Sequence, residues 1–221
     1  STFVQDSLTV SFRSATRVIY LRKQNINLQN CRLSGNIIIR SDSTLTIDST
    51  CKLKGVIIAA KAIALKNGFT GSCQLFARDS ISIGSNCSLA YPSCLGVVRS
   101  DDDVIKQQEK IVIGQQSRIE GIAFTYEKKE GDVKPIISME KRVKVYGNIY
   151  SQGLLNYKDG VAVYGNVFTS RFLYQTTFTR YENYLINITL DASKLSHYYL
   201  TSDLLPISTS KRKILQWIES N

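Results

Sequence analysis

A repeat near 18 residues, two registers of residue types that recur in step, and abundant Ile, Val, Thr, Ser, Tyr and Asn without helical spacing together predict a mainly β chain. The form expected is a single-stranded, right-handed parallel β-helix of about seven turns, closed by a C-terminal capping region that ends in a short helix. The repeat carries most of this. Alternating apolar pairs occur at Ile26/Leu28, Leu45/Ile47, Ile63/Leu65, Ile81/Ile83, Ile111/Ile113, Val143/Val145 and Val161/Val163, at spacings of 19, 18, 18, 30, 32 and 18 residues. Residues at i and i+2 of a strand share a face, so each pair points inward and the residue between points outward.

The second register runs three or four residues behind the first. Cys31, Cys51, Phe69, Cys87 and Ser117 follow at spacings of 20, 18, 18 and 30, and are expected to stack as a ladder inside the core. A position that accepts phenylalanine in one turn does not face water in the next, so the cysteines read as small buried hydrophobes. Gly35, Gly55, Gly121, Gly147 and Gly165 fall where the chain must bend between strands. One turn alone has no core, whereas stacked turns pair their backbones and merge their apolar faces.

Taken in order, residues 1–24 are expected to form an N-terminal cap. Residues 25–170 carry the repeat, with insertions near 91–109 and 125–142, and residues 171–221 form the C-terminal cap. In that last region the period disappears and aromatic residues crowd together. Alternation over Tyr184 to Leu190 predicts a strand, and Ser208 to Asn221 predicts a helix with Ile214, Leu215, Trp217 and Ile218 on its apolar face. Covering both ends of such a stack should keep the protein monomeric.

At the level of pattern, residues 25–170 resemble the right-handed β-helices of adhesins, of bactofilin-like polymer-forming proteins and of polysaccharide lyases. The resemblance implies a solenoid and assigns no residue a role.

Composition narrows the partners. The chain has 28 Lys plus Arg against 18 Asp plus Glu, a formal charge of +10, and so should attract anions. No nucleic-acid motif accompanies the charge, so a glycan or another envelope protein is the expected partner and nucleic acid is not. Five cysteines without CxxC spacing and a single histidine, His197, argue against a metal centre, and no cofactor is expected. The abrupt start at Ser1-Thr2-Phe3-Val4 leaves room for a removed export signal or membrane anchor, which places the protein at the cell envelope or outside it; the five cysteines keep a cytoplasmic location open.

Function on a repeat concentrates where the repeat is broken. The first insertion contains Asp101, Asp102 and Asp103. The second contains Lys128 and Lys129 in a run of mixed charge. Both enter at similar points of their turns and should emerge on one side, which makes these five residues the candidate binding set. Three adjacent carboxylates lack the alternating ligand spacing of a calcium loop. There is no GxSxG, HExxH, P-loop or dinucleotide fingerprint, so no catalytic residue is assigned. The expected role is a non-catalytic structural or adhesin-like interaction module. The alternatives are a polysaccharide-binding or polysaccharide-cleaving enzyme and a polymer-forming cytoskeletal protein.

Overall fold

The computed structural model describes residues 7–22, 24–99, 108–129, 132–176, 178–196 and 198–199. The chain is mainly β, and the described residues contain no α-helix. Strands come in groups of three segments, each group lying parallel on the one before. β1 (Ser7–Val10), β2 (Arg17–Leu21) and β3 (Ile26–Leu28) form the first group, and β4 (Arg32–Gly35), β5 (Ile37–Ser41) and β6 (Thr44–Ile47) the second. In the third and fourth the segments fuse into long bent strands, β7 (Lys52–Leu65) and β8 (Thr70–Ile83). β9 (Ser88–Arg99) with β10 (Lys110–Ile113) makes the fifth, and β11 (Arg118–Glu127) with β12 (Ile136–Met139) the sixth. β13 (Lys144–Tyr157) is the seventh, and β14 (Val161–Tyr164) with β15 (Val167–Gln175) the eighth.

Three columns of inward side chains result, one per segment. The first runs through Leu8, Leu33, and later Leu89, Ile119, Val145 and Val163. The second runs through Ile19, Ile39, Ile58, Leu75, Leu95, Ala123 and Ile149. The third contains Ile26, Leu45, Ile63, Ile81 and Ile111, then continues through Ile137, Leu155 and Phe172. This corrects the expected alignment. Val143/Val145 and Val161/Val163 do not continue the pairs before them: Val145 and Val163 belong to the first column, and Val143 and Val161 to the corner before it. The third column instead passes through Ile137/Met139, whose spacing from Ile111 is 26 residues, not 32.

Each corner has its own chemistry. Before the first segment, Asn30, Gly68, Asn86, Gln116, Arg142 and Gly160 all adopt positive φ, between 52° and 75°. Each immediately precedes a buried residue: Cys31, Phe69, Cys87, Ser117, Val143 or Val161. Asn and Gly suit this left-handed turn because they occupy it at least cost. Between the first and second segments the chain passes so close to its predecessor that a Cβ on Gly121 would lie 1.8 Å from the Ser93 carbonyl oxygen, and one on Gly147 1.7 Å from that of Gly121. The third corner carries the insertions.

Strand pairing reaches beyond the boundaries expected for the repeat. β1 and β2, within the expected N-terminal cap, pair in parallel register with β4 and β5. β9 extends to Arg99 and β10 begins at Lys110, while β11 ends at Glu127 and β12 begins at Ile136. After β15, β16 (Arg180–Glu182) folds back antiparallel on it, and β17 (Ile188–Leu190) lies parallel on β14. The strand expected over Tyr184 to Leu190 shortens to β17 because Asn183 and Asn187 turn the backbone at φ 61° and 51°. Tyr157 fixes that turn, its hydroxyl donating to the Tyr184 carbonyl at 2.8 Å and accepting from Ile186 N–H at 3.1 Å. The helix expected over Ser208 to Asn221 lies outside the described residues, as does His197.

Candidate functional site

Two places combine charge with defined geometry. The first is the third corner. Arg99 and Glu127 are register partners on neighbouring strands, and each is the last residue of its strand before an insertion. Both insertions therefore leave from one corner. Lys128 and Lys129 sit there exposed, with Lys128 N–H bonded to the Arg99 carbonyl at 3.0 Å. Asp101, Asp102 and Asp103 lie outside the described residues.

Beneath the insertions is a buried set of charges that motif reasoning did not identify. Arg99 Nε stands 3.0 Å from Glu109 Oε1, and its terminal nitrogen 3.7 Å from Glu127 Oε1. The Glu109 side chain is 0% exposed and that of Glu127 2%. Neither carboxylate oxygen of Glu109 receives a hydrogen bond from the described residues. Burial pushes the Glu109 carboxyl up to about 8; Arg99 opposes this, while Glu127 and Asp79 add to it. At neutral pH Glu109 is thus predominantly protonated. Two carboxyl groups beside one arginine resemble an acid–base pair, but both are sealed from solvent among the described residues, and the arginine lies between them. Their geometry is that of a clasp holding the roots of the insertions together. A sequence signal for it exists: Arg99 follows Leu95 and Val97, Glu127 follows Ala123 and Thr125, and Glu109 precedes Ile111 and Ile113, all at inward parity. Charge at an inward position requires an inward partner.

The second place is the outer surface of the first segments. Its successive outward positions form two files. One reads Ser7, Arg32, Lys52, then Thr70, Ser88, Arg118, Lys144 and Ala162. The other holds Thr9, Ser34, Lys54 and Ser72 at its start and Glu120, Tyr146 and Tyr164 at its end. Arg118 is neutralised within the surface: its Nε donates to Glu120 Oε1 at 2.7 Å and its guanidinium lies 3.8 Å from the Tyr146 ring centre. Tyr146 packs on Tyr164 at 4.7 Å, and Lys194 Nζ covers Tyr164 at 5.3 Å. At the other end, Arg32, Lys52 and Lys54 are exposed, and no carboxylate among the described residues lies within ion-pair distance.

The ladder residues Cys31, Cys51, Phe69 and Cys87 are buried, with Cys31 Sγ 3.0 Å from Cys51 Sγ. Ser117 continues the ladder with its polarity satisfied, accepting from Cys87 N–H at 3.0 Å and donating to the Gly84 carbonyl at 2.9 Å. No group of three or more metal-ligating side chains occurs among the described residues. Comparison with protein-family models, with curated proteins and with solved structures returns no match.

Proposed function

We propose that this chain is a parallel β-helix that acts as a non-catalytic structural or interaction module, displayed at the cell envelope. The observation that carries the reading is the difference between inside and outside. Three interior columns are occupied with packing through the stack, and the carboxylate pair that a glycan-cleaving enzyme would need is enclosed within it. Variation is left to the outward residues and to the two insertions at one corner. Parallel registers at intervals of 17 to 20 residues over much of the chain, lengthened where the insertions enter and at the first and last parallel pairings, support the β-helix. Envelope display fits a partner such as a glycan or a neighbouring envelope protein, recognised by a basic surface.

The test is incubation of the full chain with linear acidic and neutral polysaccharides, followed by size analysis of the polymer and by uronate absorbance. Polymers of unchanged length are expected. Shortened chains or new unsaturated ends would assign the protein to the cleaving class and make the Glu109 and Glu127 pair its first suspect.

A further inference from the structure

We infer that Arg32, Lys52 and Lys54 form a binding site for a linear acidic polysaccharide, laid across successive strands on the outer surface of the first segments. This rests on the reading of the chain as an interaction module and adds the ligand class and its place. Arg32 and Lys52 are direct register partners on neighbouring parallel strands, and Lys54 stands two residues along on the same face as Lys52. Adjacent strands lie about 4.8 Å apart, and like charges directly opposite one another destabilise a sheet. Elsewhere on this surface the chain avoids that cost with Thr70 and Ser88, or offsets it, as Glu120 does for Arg118. Here three cations are left exposed with no such relief among the described residues. An anionic ligand removes the repulsion.

The surroundings select the kind of anion. Thr9, Ser34, Thr70 and Ser72 flank the cations with short hydroxyls, which match the hydroxyl groups of a sugar chain while the cations meet its carboxylates. A single-stranded nucleic acid would need free aromatic faces for its bases. At the groove Tyr91 packs on Tyr199 at 5.8 Å, and farther along Tyr146 is occupied by Arg118 and Tyr164, and Tyr164 by Tyr146 and Lys194. Among the described residues this leaves near the cations the exposed ring of Phe12, beside Gly55, and one ring does not make a platform for successive bases. The groove also differs from the expected site at the insertions, since the first segments form a different side of the stack from the corner that bears Lys128 and Lys129.

The experiment measures binding of oligogalacturonate, neutral dextran and poly-deoxythymidine to three forms of the full chain. These are the native protein, the variant R32S/K52T/K54S, and a variant K66S/K110S/K141S that loses equal charge elsewhere. All six positions are exposed, and circular dichroism checks that both variants keep their strands. Oligogalacturonate should bind the native protein and the second variant alike, weaken as salt is raised, and lose about tenfold or more in affinity with R32S/K52T/K54S. Equal loss in both variants would reduce the site to diffuse attraction and overturn it. So would absence of oligogalacturonate binding, or tighter binding of poly-deoxythymidine through the same three residues. Cleavage of the oligomer would instead strike at the non-catalytic reading, so the two failures are separable.

Discussion

Cys31 and Cys51 show how one repeated position controls stability. Their sulfurs touch in a column closed to water, and the hydrogen bond to Cys51 together with burial pushes the Cys31 thiol up. The same contact brings the Cys51 thiol down to about 7, so it is burial that shields this sulfur. Burial, with a smaller contribution from Cys94, pushes Cys73 up to about 12. Thiol reagents at pH 8 are expected to leave Cys31, Cys51, Cys73 and Cys87 unmodified until denaturant is added, as followed by mass spectrometry. Rapid native labelling of any of them would place it outside the core. Cys51→Asp puts a carboxylate into the same column without a partner, and should lower stability by a few kcal/mol or prevent folding. Glu109 gives the complementary case, a charge position already present inside. Its native carboxyl titrates near 8 against 4.5 for the unfolded chain, so the native state binds more protons between those values. Stability is then fully present below about pH 4.5 and falls as pH rises toward 8, by up to about 1.4 kcal/mol per pH unit. Glu109→Gln keeps the shape and removes the titration. Its melting temperature should vary less between pH 5 and 8 than that of the native protein and exceed it at pH 8; parallel curves would show that Glu109 is ionised in the fold.

Within a single element, the sequence was most legible where residue type and backbone need coincide. Asn30, Gly68 and Asn86 announce left-handed corners, and the residues after them announce the ladder. Gln116 and Arg142 hold the same conformation without the usual residue type, so residue type does not mark the corner before Val143, and Val143/Val145 mimics the earlier pairs although Val145 belongs to the first column. Ile137 and Met139 carry the third column at a spacing of 26 residues from Ile111, outside the 18-residue period, so the sequence does not single them out. The parity of Arg99, Glu109 and Glu127 was readable, but their meeting depended on knowing that Arg99 and Glu127 face each other across two strands. The basic site was hidden because Arg32, Lys52 and Lys54 look scattered until strand register brings them together. The second insertion now has definite ends, since pairing resumes at Ile136 against both Lys110 and Leu154. Replacing residues 129–134 by a shorter glycine-serine link should cost little, because loop length enters closure entropy only logarithmically. The shortened protein is expected to retain its β-sheet dichroism and melt within a few degrees of the native chain, provided Glu127 is kept. Loss of folding would show that the insertion itself holds the corner.

Across the whole molecule, the question is what the last parallel group of strands exposes. The last group of strands is not left bare: β16 pairs with β15, β17 pairs with β14, and Ile186 and Ile188 pack against the core. Tyr157 and Tyr174 anchor this cover, Tyr157 through the Tyr184 carbonyl and Tyr174 through Asp159 and Asn187. Farther along, Tyr199 returns to the side of the stack, its hydroxyl donating to the Gly121 carbonyl at 3.0 Å and accepting from Asn148 N–H at 3.2 Å. That contact uses the glycine corner, where the missing Cβ of Gly147 leaves space that the tyrosine hydroxyl approaches. Removing residues 176–221 would strip β17 from β14 and β16 from β15 and expose Tyr157 and Tyr174. An uncovered parallel edge beside an apolar cross-section is a template for another chain. The chain cut after Gln175 should therefore keep its strand dichroism but elute from size exclusion as dimers or larger species whose proportion rises with concentration. The untruncated chain, measured alongside, should elute as a monomer. A truncated chain that stays monomeric and well folded would make the C-terminal region a separate module, and filaments of the full chain in electron micrographs would favour assembly through its ends over display as a single unit.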